Sequence, residues 1–467
     1  MMPRLMRCLY CGLLQDEPVG VKACARCGGE LAFEGEGKPG TNGSYLQVRM
    51  ELDQVIGPSG RNFDRHLLVT LQTPVEVPKE HAAPTPAGRP ALTFVAVLDI
   101  SGSMAGAKLD QAKEAVRRAL THLRYGDIFS LVTFESKVHC VFEPEEISAK
   151  NRKTAIGLLD EIHATGMTAL AGGLDMGIRK ALSSQKENTL VLLLSDGQAN
   201  VGETDLEKVG YLATQAREKG LIVSTIGLGM DYNEALMSEI ATQGGGRFYH
   251  VSAAAQIPAY MAGELGEVAA MAAKEVKVYL DLPRGAVAAP LSPAYPAQQN
   301  GQQAVINVGD IPSDMELEIP IRLTIPGQTA GTRLPVEGSV TYKSPAGSLL
   351  EAVLNRVTVR CATHEEFQLR EGVVKPVAEV VFRHMKAANV LSFSRMASKN
   401  PAAVQQELQR GSDELRAYAS LLGEEQAVSE ASELYEKMAS PSPAAMKFMV
   451  NESYRVTRKT RDFDEKK

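Results

Sequence analysis

The spacing of apolar positions changes along the chain, and each change marks a different kind of structure. From Leu92, the run TFVAVLDI is continuously apolar and of strand length. The following KLDQAKEAVRRALTHL places Leu109, Ala112, Val116, Ala119 and Leu123 on one helical face. DIFSLVTF, NTLVLLLS, GLIVSTIGLG and RFYHVS read as further strands. They are interleaved with helical stretches near 152–162, 169–183, 205–219 and 233–243, and a last helix over 255–273. Strands buried on both faces and alternating with helices predict a doubly wound, Rossmann-like α/β domain with a mainly parallel sheet, spanning 90–273.

The flanks follow a different period. YLQVRMELDQV and RHLLVTLQTPVEV before this domain alternate as half-exposed strands do, as do EVKVYLDLP, QAVINVGDI, ELEIPIRLTI, RLPVEGSVTYKS and LLEAVLNRVTVRC after it. They predict an antiparallel β-sandwich made of 45–89 and 274–362, into which the α/β domain is inserted, with APTPAGRP as one connection. Residues 363–440 turn to helical spacing and predict a small bundle. Pro441 and Pro443 read as its end, leaving 441–467 as a C-terminal tail. In that tail Arg455, Arg458, Lys459 and Arg461 are interspersed with Asp462, Asp464 and Glu465, the mixture of a solvated end.

Composition narrows the class. The chain has 467 residues, 44% hydrophobic and 23% charged, which suits a folded multidomain protein and excludes disorder throughout. Lys+Arg number 50 and Asp+Glu 56, a net charge of -6, so no global field draws the chain to nucleic acid or anionic lipid. No apolar run reaches the roughly 18 residues of a membrane span, and the N-terminus lacks the apolar core of a signal peptide. The expected location is cytoplasmic.

Four of the 6 cysteines fall in the first 27 residues, as Cys8-x-x-Cys11 and Cys24-x-x-Cys27, with a glycine after each pair. Two such knuckles can close a tetrahedral shell of thiolates with no open position, so the expected ion is a structural Zn2+. The spacing resembles a zinc ribbon, assigned to residues 1–34, with 35–44 as a Gly-rich linker. Gly37-Lys38 in that linker is followed by Pro39 and fails as a phosphate loop. Cys140 and Cys361 read as ordinary buried thiols.

Candidate chemistry gathers where the strands end. In an open α/β sheet, ligands bind outside the carboxyl ends of the strands. Asp99-Ile100-Ser101-Gly102-Ser103 ends the first strand, Ser195-Asp196-Gly197 ends another, and Thr168 lies in the loop before a helix. Asp99, Ser101, Ser103, Thr168 and Asp196 are thus expected at one edge: two carboxylates and three hydroxyls. An all-oxygen set suits a small hard cation such as Mg2+.

On these residues, within LDISGSM and LLLSDGQAN, the chain resembles the von Willebrand factor A domain. The metal-ion-dependent adhesion site of that family is written D-x-S-x-S, then T, then D. The resemblance covers roughly 180 residues. It implies that Ser101, Ser103 and Thr168 touch Mg2+ (or Mn2+ or Ca2+), that Asp99 and Asp196 bind it directly or through water, and that an acidic side chain of a protein partner completes the shell. Architecturally, the strand-flanked arrangement resembles the inter-alpha-trypsin-inhibitor heavy chains. Intracellular bacterial members of the family work with AAA+ ATPases or with kinase and phosphatase signalling modules, and partners of that kind are what the resemblance implies.

Three function classes follow. The first is a non-enzymatic intracellular interaction or scaffold protein that captures an acidic residue through the metal. The second is a nucleic-acid-associated factor using the ribbon and the basic tail. The third is a phosphotransferase with Asp99 as nucleophile. Ser101 stands where the acid/base of such an enzyme belongs and cannot serve at neutral pH, and His122, His139, His163 and His250 are scattered. The first class is the expectation.

Overall fold

The computed structural model describes residues 44–82, 91–184, 188–196, 198–229, 232–251, 270–368, 372–399, 404–423 and 425–458, with isolated positions between 260 and 266 and the backbone of three short strands near the N-terminus. Those strands, β1 (Leu5–Cys8), β2 (Leu14–Asp16) and β3 (Leu31–Phe33), pair antiparallel in the order β2-β1-β3. Cys8 closes β1 in register with Leu31. Cys11, Cys24 and Cys27, and with them the expected zinc shell, lie outside the described residues, as does the connection APTPAGRP.

After these and before the α/β region come β4 (Gln47–Leu52), β5 (Ile56–Pro58) and β6 (Phe63–Gln72). The region itself contains β7 (Leu92–Asp99), β8 (Ile128–Phe134), β9 (Val138–Glu146), β10 (Asn188–Ser195), β11 (Leu221–Leu228) and β12 (Gly245–Val251). They form one sheet in the order β12-β11-β10-β7-β8-β9, parallel except for the β8–β9 pair. The antiparallel β9 carries Glu143, Glu145 and Glu146, charges that suit an exposed edge and that hid it from the apolar pattern.

Among the described residues, the helices that cover this sheet include α1 (Ala107–His122), α2 (Ala149–Asp160), α3 (Leu170–Ser183), α4 (Leu206–Glu218) and α5 (Glu234–Gln243). Alternation along β7 sorts its side chains between two cores. Phe94, Ala96 and Leu98 pack with Leu109, Ala112 and Val116 of α1, while Val95 and Val97 pack with Leu174, Val209 and Ile240 of α3, α4 and α5. Side-chain caps fix several helix starts: Ser148 accepts from Asn151 N, Asp205 from Glu207 N and Lys208 N, and Asn233 from Leu236 N. Helix α3 approaches the sheet closely through glycine. A Cβ at Gly173 would lie 2.4 Å from the Phe134 ring, and one at Gly177 2.3 Å from Val97 Cγ2.

After the α/β region come β13 (Met271–Asp281), β14 (Val287–Pro290), β15 (Ala297–Asn300), β16 (Gln303–Pro312), β17 (Glu316–Ile325), β18 (Arg333–Lys343), β19 (Leu349–Val353) and β20 (Val357–Ala362). One sheet runs β15-β16-β13-β18-β20-β5 with β19 beside β18, and the other runs β14-β17-β6-β4. Both contribute to one apolar cluster, in which Leu67, Val69, Ile319 and Ile321 meet Val276, Val278, Ile306 and Val340. Strand β6 pairs antiparallel with β17 from Phe63↔Ile325 to Gln72↔Glu316, so residues on opposite sides of the α/β region in sequence share a sheet. Arg217 of α4 donates from Nη1 to Ala294 O at 3.1 Å and from Nη2 to Val308 O at 3.0 Å, joining the α/β region to these strands.

The described residues that follow are mostly helical: α6 (His364–Gln368), α7 (Lys375–Lys399), α8 (Val404–Leu422), α9 (Glu425–Ala439) and α10 (Pro443–Arg458). Val377, Val381, Phe382 and Met385 of α7 cluster with Leu68 of β6. Val390 and Phe393, further along α7, join the α3–α4–α5 core together with Met446, Val450 and Tyr454. The helices therefore pack on both the strands and the α/β region.

Helix α10 corrects the expectation of a tail from residue 441. Pro443 is the first residue of a helix rather than the end of one, a position where its missing N–H costs nothing. Ser442 Oγ accepts from Ala445 N at 3.2 Å. Tyr454 OH donates to Gly246 O at 2.9 Å, and Lys447 Nζ donates to Tyr232 O and Glu234 Oε2, both at 2.8 Å. Arg455, expected in a solvated cluster, pairs with Glu452. Lys459 and Arg461 lie outside the described residues.

Candidate metal-ion site

Strands β7 and β10 are neighbours, and the chain continues from β7 to the far side, toward β8. The crevice between their carboxyl ends is therefore the switch point of the sheet. Asp99 ends β7 there, and Ser195 ends β10 with Asp196 directly after it.

Asp99 is fully buried. Its Oδ1 accepts from Ser101 N at 2.9 Å and its Oδ2 from Ser195 Oγ at 2.5 Å. Burial pushes its carboxyl up to about 6, against the opposing hydrogen bonds from Ser195 and Ser101, and the charge of Asp196 adds to the rise. A 3-10 turn over Gly102–Met104, anchored by buried Met104, brings Ser101 Oγ and Ser103 Oγ to 3.1 Å. Ser101 is buried and Ser103 faces solvent.

Backbone hydrogen bonds tie the other loops to this turn. Gly102 N donates to Gly166 O at 3.0 Å and Thr165 N to Ile100 O at 2.7 Å. Thr168, 1% exposed, follows at the start of α3. Its N–H donates to Asn200 Oδ1 at 2.7 Å, and its carbonyl accepts from Asn200 N at 3.1 Å and Val201 N at 3.2 Å. Asp196, also fully buried, accepts at its carbonyl from Asn233 N at 3.2 Å, which fixes the start of α5 beside it. Its Oδ2 accepts from Lys108 Nζ at 3.2 Å.

Asp99, Ser101, Ser103 and Asp196 thus follow the carboxyl ends of β7 and β10, and the loop that carries Thr168 is tied by its backbone to the same turn and to Asn200. The donors are oxygens only, the chemistry a hard divalent cation takes. Among the described residues there is no group of three or more His, Cys, Asp or Glu that could hold a metal, so a cation in this crevice would depend on the hydroxyls as well as the two carboxylates. Ser195, Asn200 and Lys108 were not foreseen. Ser195 adjoins Asp196 and Asn200 lies in the same LLLSDGQAN segment, but only the fold shows what they contact. Of the two thiols read as buried, Cys361 is buried and Cys140 partly so. No described helix is long and apolar enough to cross a membrane.

Comparison with known proteins agrees with this architecture. A solved von Willebrand factor type A protein from Catenulispora acidiphila superposes with a TM-score of 0.61 at 19% identity, covering 90% of this chain and 98% of that one, a likeness of fold. The uncharacterized protein YfbK of Escherichia coli K12 is 25% identical over 249 residues, 52% of this chain. Inter-alpha-trypsin inhibitor heavy chain H3 of Pongo abelii is 30% identical over 158 residues, 32% of this chain. The matches span 43% of YfbK and 18% of the heavy chain. The family model for the von Willebrand factor type A domain matches residues 94–262. With the parallel sheet, its flanking helices and the crevice at its switch point, this region of the chain is a von Willebrand factor type A domain.

Proposed function

We propose that this chain is a non-enzymatic, intracellular interaction protein that captures an acidic residue of a protein partner through a divalent cation, Mg2+ by preference, at Asp99, Ser101, Ser103, Thr168 and Asp196. The observation that carries the reading is the convergence of two fully buried carboxylates with the Ser101, Ser103 and Thr168 positions at one switch-point crevice. When bound there, the cation would supply an electrophilic position for a carboxylate oxygen.

The chain's own residues prepare that position. Ser195 and Ser101 N hold both oxygens of Asp99, and the reciprocal bonds to Asn200 hold the Thr168 backbone. Ser103 at the mouth, with Met167 beside Thr168 51% exposed, gives a partner something to approach. Among the described residues, Asp99 and Asp196 are the carboxylates buried at the ends of β7 and β10, and a dication held between them attracts an incoming Asp or Glu.

We read the two flanking sheets as a β-sandwich that carries the A domain as an insertion, and the C-terminal helices as a bundle bracing both. Cys8, Cys11, Cys24 and Cys27 are assigned a structural Zn2+, a reading supported by the three-stranded arrangement of β1–β3. Cytoplasmic location and a partner of the AAA+ ATPase or kinase/phosphatase kind belong to the same proposal. The test is a pull-down from native lysate in Mg2+ with wild type and Thr168→Ala. Loss of an otherwise recovered partner by a folded Thr168→Ala protein supports metal-bridged capture, and equal recovery refutes it.

A further inference from the structure

The ammonium of Lys108 lies 3.2 Å from Asp196 Oδ2, inside the crevice that the proposed function assigns to a cation. The Lys108 side chain is 20% exposed and that of Asp196 is 0% exposed, so the pair sits beneath the surface. Its position is built into the fold. Lys108 belongs to the first turn of α1, and its stem runs past Gly229 at the end of β11. Gly229 has φ +80, and a Cβ there would lie 2.7 Å from Lys108 Cε. The missing side chain leaves room for the lysine stem, and the positive φ suits glycine.

We propose that Lys108 sets the cation affinity of this site, its ammonium competing with the divalent ion for Asp196. The inference rests on the reading of Asp99, Ser101, Ser103, Thr168 and Asp196 as cation ligands. Two carboxylates would just neutralise a dication. Lys108 beside Asp196 adds positive charge next to the ion, which opposes cation entry and favours an anionic partner once the cation is present. A lysine thus makes the site bind its ion weakly when alone and prefer a carboxylate as the completing ligand.

The test is Mn2+ binding to the full chain, followed by the electron paramagnetic resonance signal of free Mn2+ at pH 7.5 and fixed ionic strength. Lys108→Met keeps the stem and removes the charge, Lys108→Gln is a second neutral variant, and Lys108→Arg keeps the charge. Thermal melting of each variant reports folding. The neutral variants are expected to bind Mn2+ roughly tenfold more tightly than wild type, Lys108→Arg to stay near wild type, and Thr168→Ala to lose binding. Unchanged or weaker binding in folded neutral variants, with Thr168→Ala inactive in binding, overturns the role of Lys108 alone. Wild-type affinity in Thr168→Ala overturns the cation-ligand reading itself, and the Lys108 role with it.

Discussion

Thr168 and Asn200 hold each other through a reciprocal pair of hydrogen bonds: Thr168 N donates to Asn200 Oδ1 at 2.7 Å, and Asn200 N donates back to Thr168 O at 3.1 Å. The loop before α3 and the loop after β10 are thereby one unit. Asn200→Ala removes the side-chain half and leaves the buried Thr168 N–H without it, a cost of about 1–3 kcal/mol. The expected result is a folded protein with weaker Mn2+ binding, measured by calorimetry. Wild-type affinity would mean that Thr168 is placed by the rest of its loop.

The close packing of α3 on the sheet predicts an overpacking cost. With a Cβ at Gly177 only 2.3 Å from Val97 Cγ2, Gly177→Ala forces the helix or Val97 to shift, which typically costs about 1–3 kcal/mol. Because Thr168 precedes the same helix, cation binding should weaken along with urea stability. A variant as stable as wild type would show that α3 can move off the sheet freely.

Helix α10 predicts that the C-terminal segment is structural. Met446, Val450 and Tyr454 are buried against the A domain, so deletion from residue 441 onward should uncover apolar surface on α5 and β12. A lower melting temperature and dye binding to exposed apolar surface are expected. Unaltered melting would restore the reading of this segment as a solvated tail.

His250 predicts a pH dependence of stability. Burial, then the charge of Lys447, lowers its pKa below the ordinary 6.5, with Glu234 opposing. The unfolded chain then takes up a proton that the folded chain resists. The contribution of neutral His250 is full above about 6.5 and is lost as pH falls through the lower folded value. Wild type should lose more urea stability between pH 7.5 and 5.5 than His250→Gln does. Parallel losses in the two proteins would contradict this assignment.

Much of this was legible because the informative residues sit where the chain changes direction. Asp99, Ser101, Ser103, Thr168 and Asp196 each adjoin the end of an apolar run or the start of a helical one, so a shared edge is what topology rules lead one to expect of them. The alternating segments around 63–72 and 316–325 read as half-exposed strands, and they are β6 and β17. What stayed hidden depends on contacts across the fold. Lys108 looks like one more polar residue on an amphipathic helix until Asp196 is placed beside it. Pro443 reads as a stop because a proline can begin a helix as readily as follow one, and only the packing of Val450 and Tyr454 decides. Strand β5, Ile56–Pro58, is too short to show a period and exists through its parallel pairing with β20.

The most direct test of the central claim is calorimetric titration of Mg2+ into wild type and Thr168→Ala at pH 7.5. The account predicts saturable binding of one Mg2+ at the crevice in wild type and its loss in a Thr168→Ala protein that melts normally. Equal Mg2+ affinity in the two proteins would contradict it.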